Sequence, residues 1–65
     1  MNAARKGSAL LIEARLRAYD QALAAGKTTD EARATARKIT SKHITGVRTD
    51  TSSEIINRAV AKATA

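Results

Sequence analysis

Apolar positions recur at helical spacing in three stretches of this 65-residue chain, and Gly26 and Gly46 separate them. In the first stretch Ile12, Leu16, Tyr19 and Leu23 step by four, three and four residues, so they share one face of a helix. Leu11, Ala18 and Ala22 widen that face on one side. The spacing predicts a helix over about 8–25, stopped by Gly26. Glu13 precedes Arg17 by four residues on the solvated side, the favourable order for a helical ion pair. The apolar arc is broader than one neighbouring helix requires. It is expected to be covered twice, by the chain's own second helix and by another surface, which makes Leu11, Ile12, Leu16, Tyr19 and Leu23 the candidate interface.

The second helix should open at Thr28-Thr29-Asp30-Glu31, a capping box in which the Thr28 hydroxyl accepts from the Glu31 N–H and the Glu31 carboxylate returns the bond. Its predicted span is 29–44, with Ala32, Ala36, Ile39 and His43 turned inward and Gly46 at or just past its end. Asp30 and Glu31 suit the positive helix N-terminus, and Lys42 and His43 the negative end. Thr51-Ser52-Ser53-Glu54 repeats the capping pattern and starts a third helix over 51–64. That helix presents Ile55, Ile56, Ala59, Val60 and Ala63 on one side and Glu54, Asn57, Arg58, Ala61 and Lys62 on the other. Residues 44–49 have some strand propensity, but one such segment without a pairing partner makes no sheet. The prediction is one all-α domain over 1–65, a helical hairpin plus a third helix.

Composition changes this picture in one respect. Leu, Ile and Val number 11 and Phe is absent, about 17% of the chain, below the level of roughly 20% at which a charged chain is suspected of disorder. The 15 alanines favour helix but bury little area each. There is no cysteine, so no disulfide or thiolate metal site reinforces the core. Domains this small usually need such a reinforcement or a second chain, so dimerisation or a bound partner is expected to complete the core, with a homodimer the simplest form.

Charge points to function. The net charge is +6, and residues 27–48 carry +4 of it while residues 49–65 carry none. Between Glu31 and Asp50 there is no acidic residue, yet Arg33, Arg37, Lys38, Lys42, His43 and Arg48 lie there. A solvated face ordinarily mixes signs, so an unbalanced one implies an anionic counterpart. Double-stranded DNA is the first partner to consider, with Arg33, Arg37, Lys38, Lys42 and Arg48 on phosphates. At helical spacing Arg33 and Arg37 are expected on one flank of the second helix and Lys38 and Lys42 on the other, one flank for each phosphate strand. Asn57 and Arg58 on the third helix are the candidate base readers. A standard helix-turn-helix fits poorly, because the first helix is long, the connection is more than a tight turn, and the third helix is neutral. Stacking on single strands would need aromatics, and Tyr19 stands alone on the core face.

Other chemistries find less support. Gly26-Lys27-Thr28 resembles the end of a phosphate loop, but Gln21 stands where the first glycine belongs, and capping explains all three residues. His43 is the only imidazole and lacks neighbours of metal-ligand type; a structural histidine near a helix end is the simpler reading. Of the six carboxylates, helix starts and the Arg17 pair account for five, and no acid–base couple stands out. No enzymatic activity, cofactor or metal is therefore expected. The longest apolar run is Ala9-Leu10-Leu11-Ile12, too short for a membrane span or a signal-peptide core. Arg5, Lys6, Arg15 and Arg17 could mimic a transit peptide, but Glu13 and Asp20 count against it, so the cytoplasm is the expected location. A membrane-surface role for the first helix is weakened by Asp20 and the alanines. The reading is a small basic non-enzymatic DNA-binding protein of regulatory or accessory type. The alternatives are an interaction module (inhibitor, antitoxin-like partner or adaptor) for an acidic protein surface, or a structural subunit of a larger assembly.

Overall fold

The longest element is a helix of 22 residues, α1 (Ala3–Ala24), about 33 Å at 1.5 Å per residue, so it runs along the 36 Å axis of the molecule. A computed structural model describes the backbone of residues 3–64 and the side chains from residue 9 to residue 64. Two shorter helices, α2 (Thr29–Arg37) and α3 (Ser52–Thr64), pack mainly on α1, with few contacts to each other. Among the described residues the fold is all-helical, with three α-helices, one 3-10 turn at Ser41–His43 and no strand. The expected helix start at residue 8 moves back to Ala3.

α1 stops at a Schellman motif. Gly26 adopts φ +88°, a conformation that L side chains rarely take, while the Gly26 N–H donates to Leu23 O at 3.0 Å and the Lys27 N–H to Ala22 O at 3.0 Å. The short connection then returns the chain antiparallel as α2. Both capping boxes form. The Thr28 N–H donates to Glu31 Oε1 at 3.0 Å and the Glu31 N–H to Thr28 Oγ1 at 3.2 Å; Thr51 and Glu54 repeat the pair at 3.0 and 3.1 Å.

Two expectations need correction. First, α2 ends at Arg37 and does not continue to residue 44. Its last turn tightens, with the Lys38 and Ile39 N–H groups donating to Thr35 O and Ala36 O. The chain then unwinds through Ile39 and Thr40. The freed Ile39 carbonyl accepts from Arg15 Nε at 2.9 Å, and the Thr40 N–H donates to His43 Nδ1 at 3.1 Å. Unwinding places Ile39 wholly in the core, the largest fully buried side chain of the described residues. Lys42 and His43 thus sit in the 3-10 turn, and Arg37 is the cation at the α2 terminus.

Second, α1 turns its alanines inward. Ala14, Ala18 and Ala22 are buried, with Leu10 and Leu11 partly buried beside them. Ile12, Leu16 and Leu23 are exposed, the first two to 59% and 60%, and Tyr19 is half-buried. Ala14 and Ala18 cluster with Ala59, and Ala22 and Ala32 are buried as well; small side chains let helix backbones come close, where a row of leucines and isoleucines would hold them apart. Ile39, Ile56 and Val60 fill what space remains, and Ile44 and Ala63 close the edge. α3 buries the expected side: Ile56, Ala59 and Val60 are inside, Ile55 and Ala63 half-buried, and Glu54, Asn57, Arg58, Ala61 and Lys62 exposed.

Candidate functional site

The acid-free segment occupies α2, the 3-10 turn and the loop that follows. Arg33 and Arg37 lie on one side of α2, Lys38 caps its C-terminus, Lys42 is on the 3-10 turn and Arg48 is in the loop before α3. All five are exposed. Among the described residues the one side-chain ion pair joins Arg58 to Asp50, so none of the five meets a carboxylate. The two flanks of α2 remain distinct although the helix is short. Arg33 borders a shallow apolar groove lined by Ile12, Arg15, Leu16, Tyr19 and Ala36. Lys38 borders the opposite groove, floored by Ala18, Ala22 and Ala25, where Lys27 faces it. Lys27 entered above only through the phosphate-loop resemblance and not as a phosphate contact. The signal that could have found it is its position just past the C-terminal end of α1, in the turn that leads into α2.

The candidate base readers have a different setting. Arg17 Nη1 donates to Asn57 Oδ1 at 2.7 Å, tying α1 to α3. This replaces the expected Glu13–Arg17 pair and leaves Glu13 and Asp20 exposed, neither in an ion pair among the described residues. Arg58 Nη1 donates to Thr45 O at 3.0 Å and to Asp50 Oδ2 at 3.3 Å. Asp50 Oδ2 also accepts from the Val47 N–H at 2.9 Å. Asn57 and Arg58 therefore hold the loop and α3 in place, and they lie on a different element from the five free cations. The residues from Lys38 to Thr51 separate α2 from α3, far more than the short turn of a helix-turn-helix.

Loop 44–51 is fixed at close quarters. A Cβ on Gly46 would come within 2.7 Å of Asp50 Oδ2 and 2.9 Å of Ile55 Cγ1, so the loop passes α3 at a distance only glycine permits. The Val47 N–H, and then the Arg58 guanidinium, hold the Asp50 carboxyl below the usual carboxylate range against the opposing effect of burial. The Thr28 backbone and hydroxyl bonds do the same for Glu31. These anchors place Arg48 on a defined loop next to the 3-10 turn that carries Lys42.

The interface candidates divide. Ile12, Leu16 and Leu23 form an outward row with Tyr19 at its edge, whereas Leu11 packs against the chain's own core. His43, expected on the inner face of α2, is half-buried in the 3-10 turn with Nδ1 accepting from Thr40. No described helix is long and apolar enough to cross a membrane. No protein-family model, curated protein or solved structure matches the chain.

Proposed function

We propose that this chain is a small, non-enzymatic DNA-binding protein of regulatory or accessory type that works as a homodimer. The observation that carries the reading is the set of five exposed cations, Arg33, Arg37, Lys38, Lys42 and Arg48, with no carboxylate paired to any of them among the described residues. Unneutralised charge of one sign on a rigid element repels itself and is relieved by phosphates. Arg33 and Arg37 line one side of α2, and Lys38, Lys42 and Arg48 carry the charge on past its C-terminus, which suits a segment laid along a phosphate backbone. Asn57 and Arg58 are engaged within the fold, so binding rests on the backbone of the duplex more than on its bases. The dimer is supported by the poverty of the core, where five of the eight buried apolar residues are alanine while Ile12, Leu16 and Leu23 stand outside.

Five phosphate contacts per chain, ten in the homodimer, give a log–log salt slope of about −9, so the dimer's affinity for duplex DNA falls on the order of 10⁵-fold between about 50 and 200 mM salt. Fluorescence anisotropy with a labelled duplex measures this. Equal weak signal at both salt concentrations overturns the proposal. A second reading is favoured by the apolar groove beside Arg33: an interaction module, of inhibitor, antitoxin-like or adaptor kind, whose partner is an acidic protein surface with an apolar centre. A subunit of a larger assembly would use the same surface. On either, DNA binding is weak at every salt concentration and the acidic partner sharpens the thermal transition.

A further inference from the structure

The outward row of α1 has the spacing of a coiled-coil seam. Ala9, Ile12, Leu16, Tyr19 and Leu23 follow one another by three, four, three and four residues, the alternation of a and d positions in a heptad. Ala9, Ile12, Leu16 and Leu23 are exposed. The core strip of Ala14, Ala18 and Ala22 lies on another face of the helix, so the seam is additional to the packing that builds the monomer.

The charges beside this row are sorted by sign. In the same heptad count Glu13 and Asp20 occupy e positions on one flank, and Arg15 occupies the g position on the other. α2 lies on the Arg15 side and adds Arg33 there, since both arginines line the groove with Ile12, Leu16 and Tyr19. Over residues 9–23 the e flank is thus acidic and the g flank basic, with Lys6 the one cation at an e position of α1, a heptad before Glu13. Glu13 and Asp20 are in no ion pair among the described residues. The Nε of Arg15 is held by the Ile39 carbonyl, which fixes the arm and leaves its terminal nitrogens for another acceptor.

That sorting selects both the occupant and its direction. When two copies of a helix pair antiparallel, like flanks meet: e against e and g against g. Here that would set Glu13 and Asp20 against their counterparts and Arg15 and Arg33 against theirs. When two copies pair parallel, each g position lies beside the e position five residues on in the other chain. Arg15 then meets the partner copy's residue 20, an aspartate, and the two-fold axis makes the same contact twice. We propose that two copies of this chain associate through α1 as a parallel, two-fold symmetric pair, with Ile12, Leu16, Tyr19 and Leu23 in the seam and the basic Arg15–Arg33 flank against the acidic Glu13–Asp20 flank of the other copy.

This deepens the homodimer reading above and does not depend on nucleic acid. The second helix of each copy borders the seam, so α1 and α2 from both copies make a four-helix arrangement in which the groove between Leu16 and Ala36 is filled. Arg33 then flanks the seam and leaves the phosphate-contacting set, while Arg37, Lys38, Lys42 and Arg48 keep their exposure on other surfaces.

The absence of cysteine makes the direction testable by single replacements at exposed positions. Ile12→Cys and Leu23→Cys are each made in the full chain, checked for helicity by circular dichroism, and oxidised under mild conditions. In a parallel seam each position faces its own counterpart, so each variant alone forms a disulfide-linked dimer. In an antiparallel seam residue 12 faces the other end of its partner, so cross-linking only in a mixture of the two variants overturns the proposal. Sedimentation equilibrium of the unmodified chain gives the independent measure. A monomer mass across a wide concentration range overturns the proposal and the homodimer reading together, whereas a dimer mass with the antiparallel pattern overturns the direction alone. Asp20→Arg supplies the charge test: dimerisation weakens at least tenfold if position 20 faces Arg15 and Arg33 of the other copy, and strengthens if an antiparallel seam sets it against the other copy's Glu13. Loss of DNA binding with the dimer intact leaves the seam standing.

Discussion

Ile39 is the side chain on which the fold most depends, and removing it gives the sharpest check on the packing. It is fully buried, with α1 on one side and α3 on the other, and α2 unwinds to place it there. Ile39→Ala deletes three carbon groups, worth about 2.4 kcal/mol in transfer at about 0.8 each. A cavity left among alanines that cannot shift inward raises the loss to about 3–4 kcal/mol. A chain of this length has a total stability of roughly 3–10 kcal/mol, and an alanine-rich core places it toward the lower end. Ile39→Ala should therefore be largely unfolded at room temperature. Ile39→Val should stay folded at a cost of about 1 kcal/mol. The comparison is Leu16→Ala, also an aliphatic truncation but at a residue 60% exposed. In dilute solution its effect should stay within about 0.5 kcal/mol. Urea melts followed at 222 nm measure all three. The Ile39 losses should not depend on protein concentration, whereas a Leu16 loss should appear only as concentration rises and the seam forms. A large, concentration-independent loss for Leu16→Ala together with a small one for Ile39→Ala would refute the packing.

Two further outcomes follow from the loop and the caps. Gly46→Ala should cost about 1–3 kcal/mol of stability, because the new Cβ meets an Asp50 carboxylate that Val47 and Arg58 hold in place and a half-buried Ile55 side chain; a melt unchanged from the parent would show that the loop is free to move. Glu31 and Asp50 both have folded-state pKa values below their ordinary ones, so their contribution is complete above about pH 5 and is lost as pH falls through about 4 and below. The thermal midpoint should drop over that window, and Glu31→Gln and Asp50→Asn should each flatten the drop; identical pH profiles for parent and variants would contradict the assignment.

Local chemistry was the legible part of this fold. The caps at Thr28 and Thr51, the stop at Gly26 and the buried side of α3 each depend on residues within one turn of each other, and a sequence displays those directly. The orientation of α1 was not legible in the same way. Reading hydrophobicity by size selects Ile12, Leu16, Tyr19 and Leu23, while close helix approach selects Ala14, Ala18 and Ala22, and only the geometry of α2 and α3 decides between the two strips. The width of the arc was the available sign that both strips exist. The early end of α2 was hidden because alanine, arginine and lysine continue a helix by propensity, and the gain from burying Ile39 is a tertiary term. At the candidate site, the sequence shows the missing carboxylates, and the exposure of the five cations agrees with it. The engagement of Asn57 with Arg17 and of Arg58 with Asp50 joins residues 40 and 8 positions apart, which no local pattern announces.

The central claim is that the cationic middle of the chain meets an anionic partner, and a salt titration of duplex binding tests it most directly. The variant carries Arg37→Gln, Lys38→Gln, Lys42→Gln and Arg48→Gln together, all at exposed positions outside the core and the α1 seam. The account predicts that the log–log salt slope becomes shallower by about 3.6 per chain, about 0.9 for each cation removed, while the urea melt stays close to the parent's. Binding with the parent's affinity and the parent's slope would contradict it.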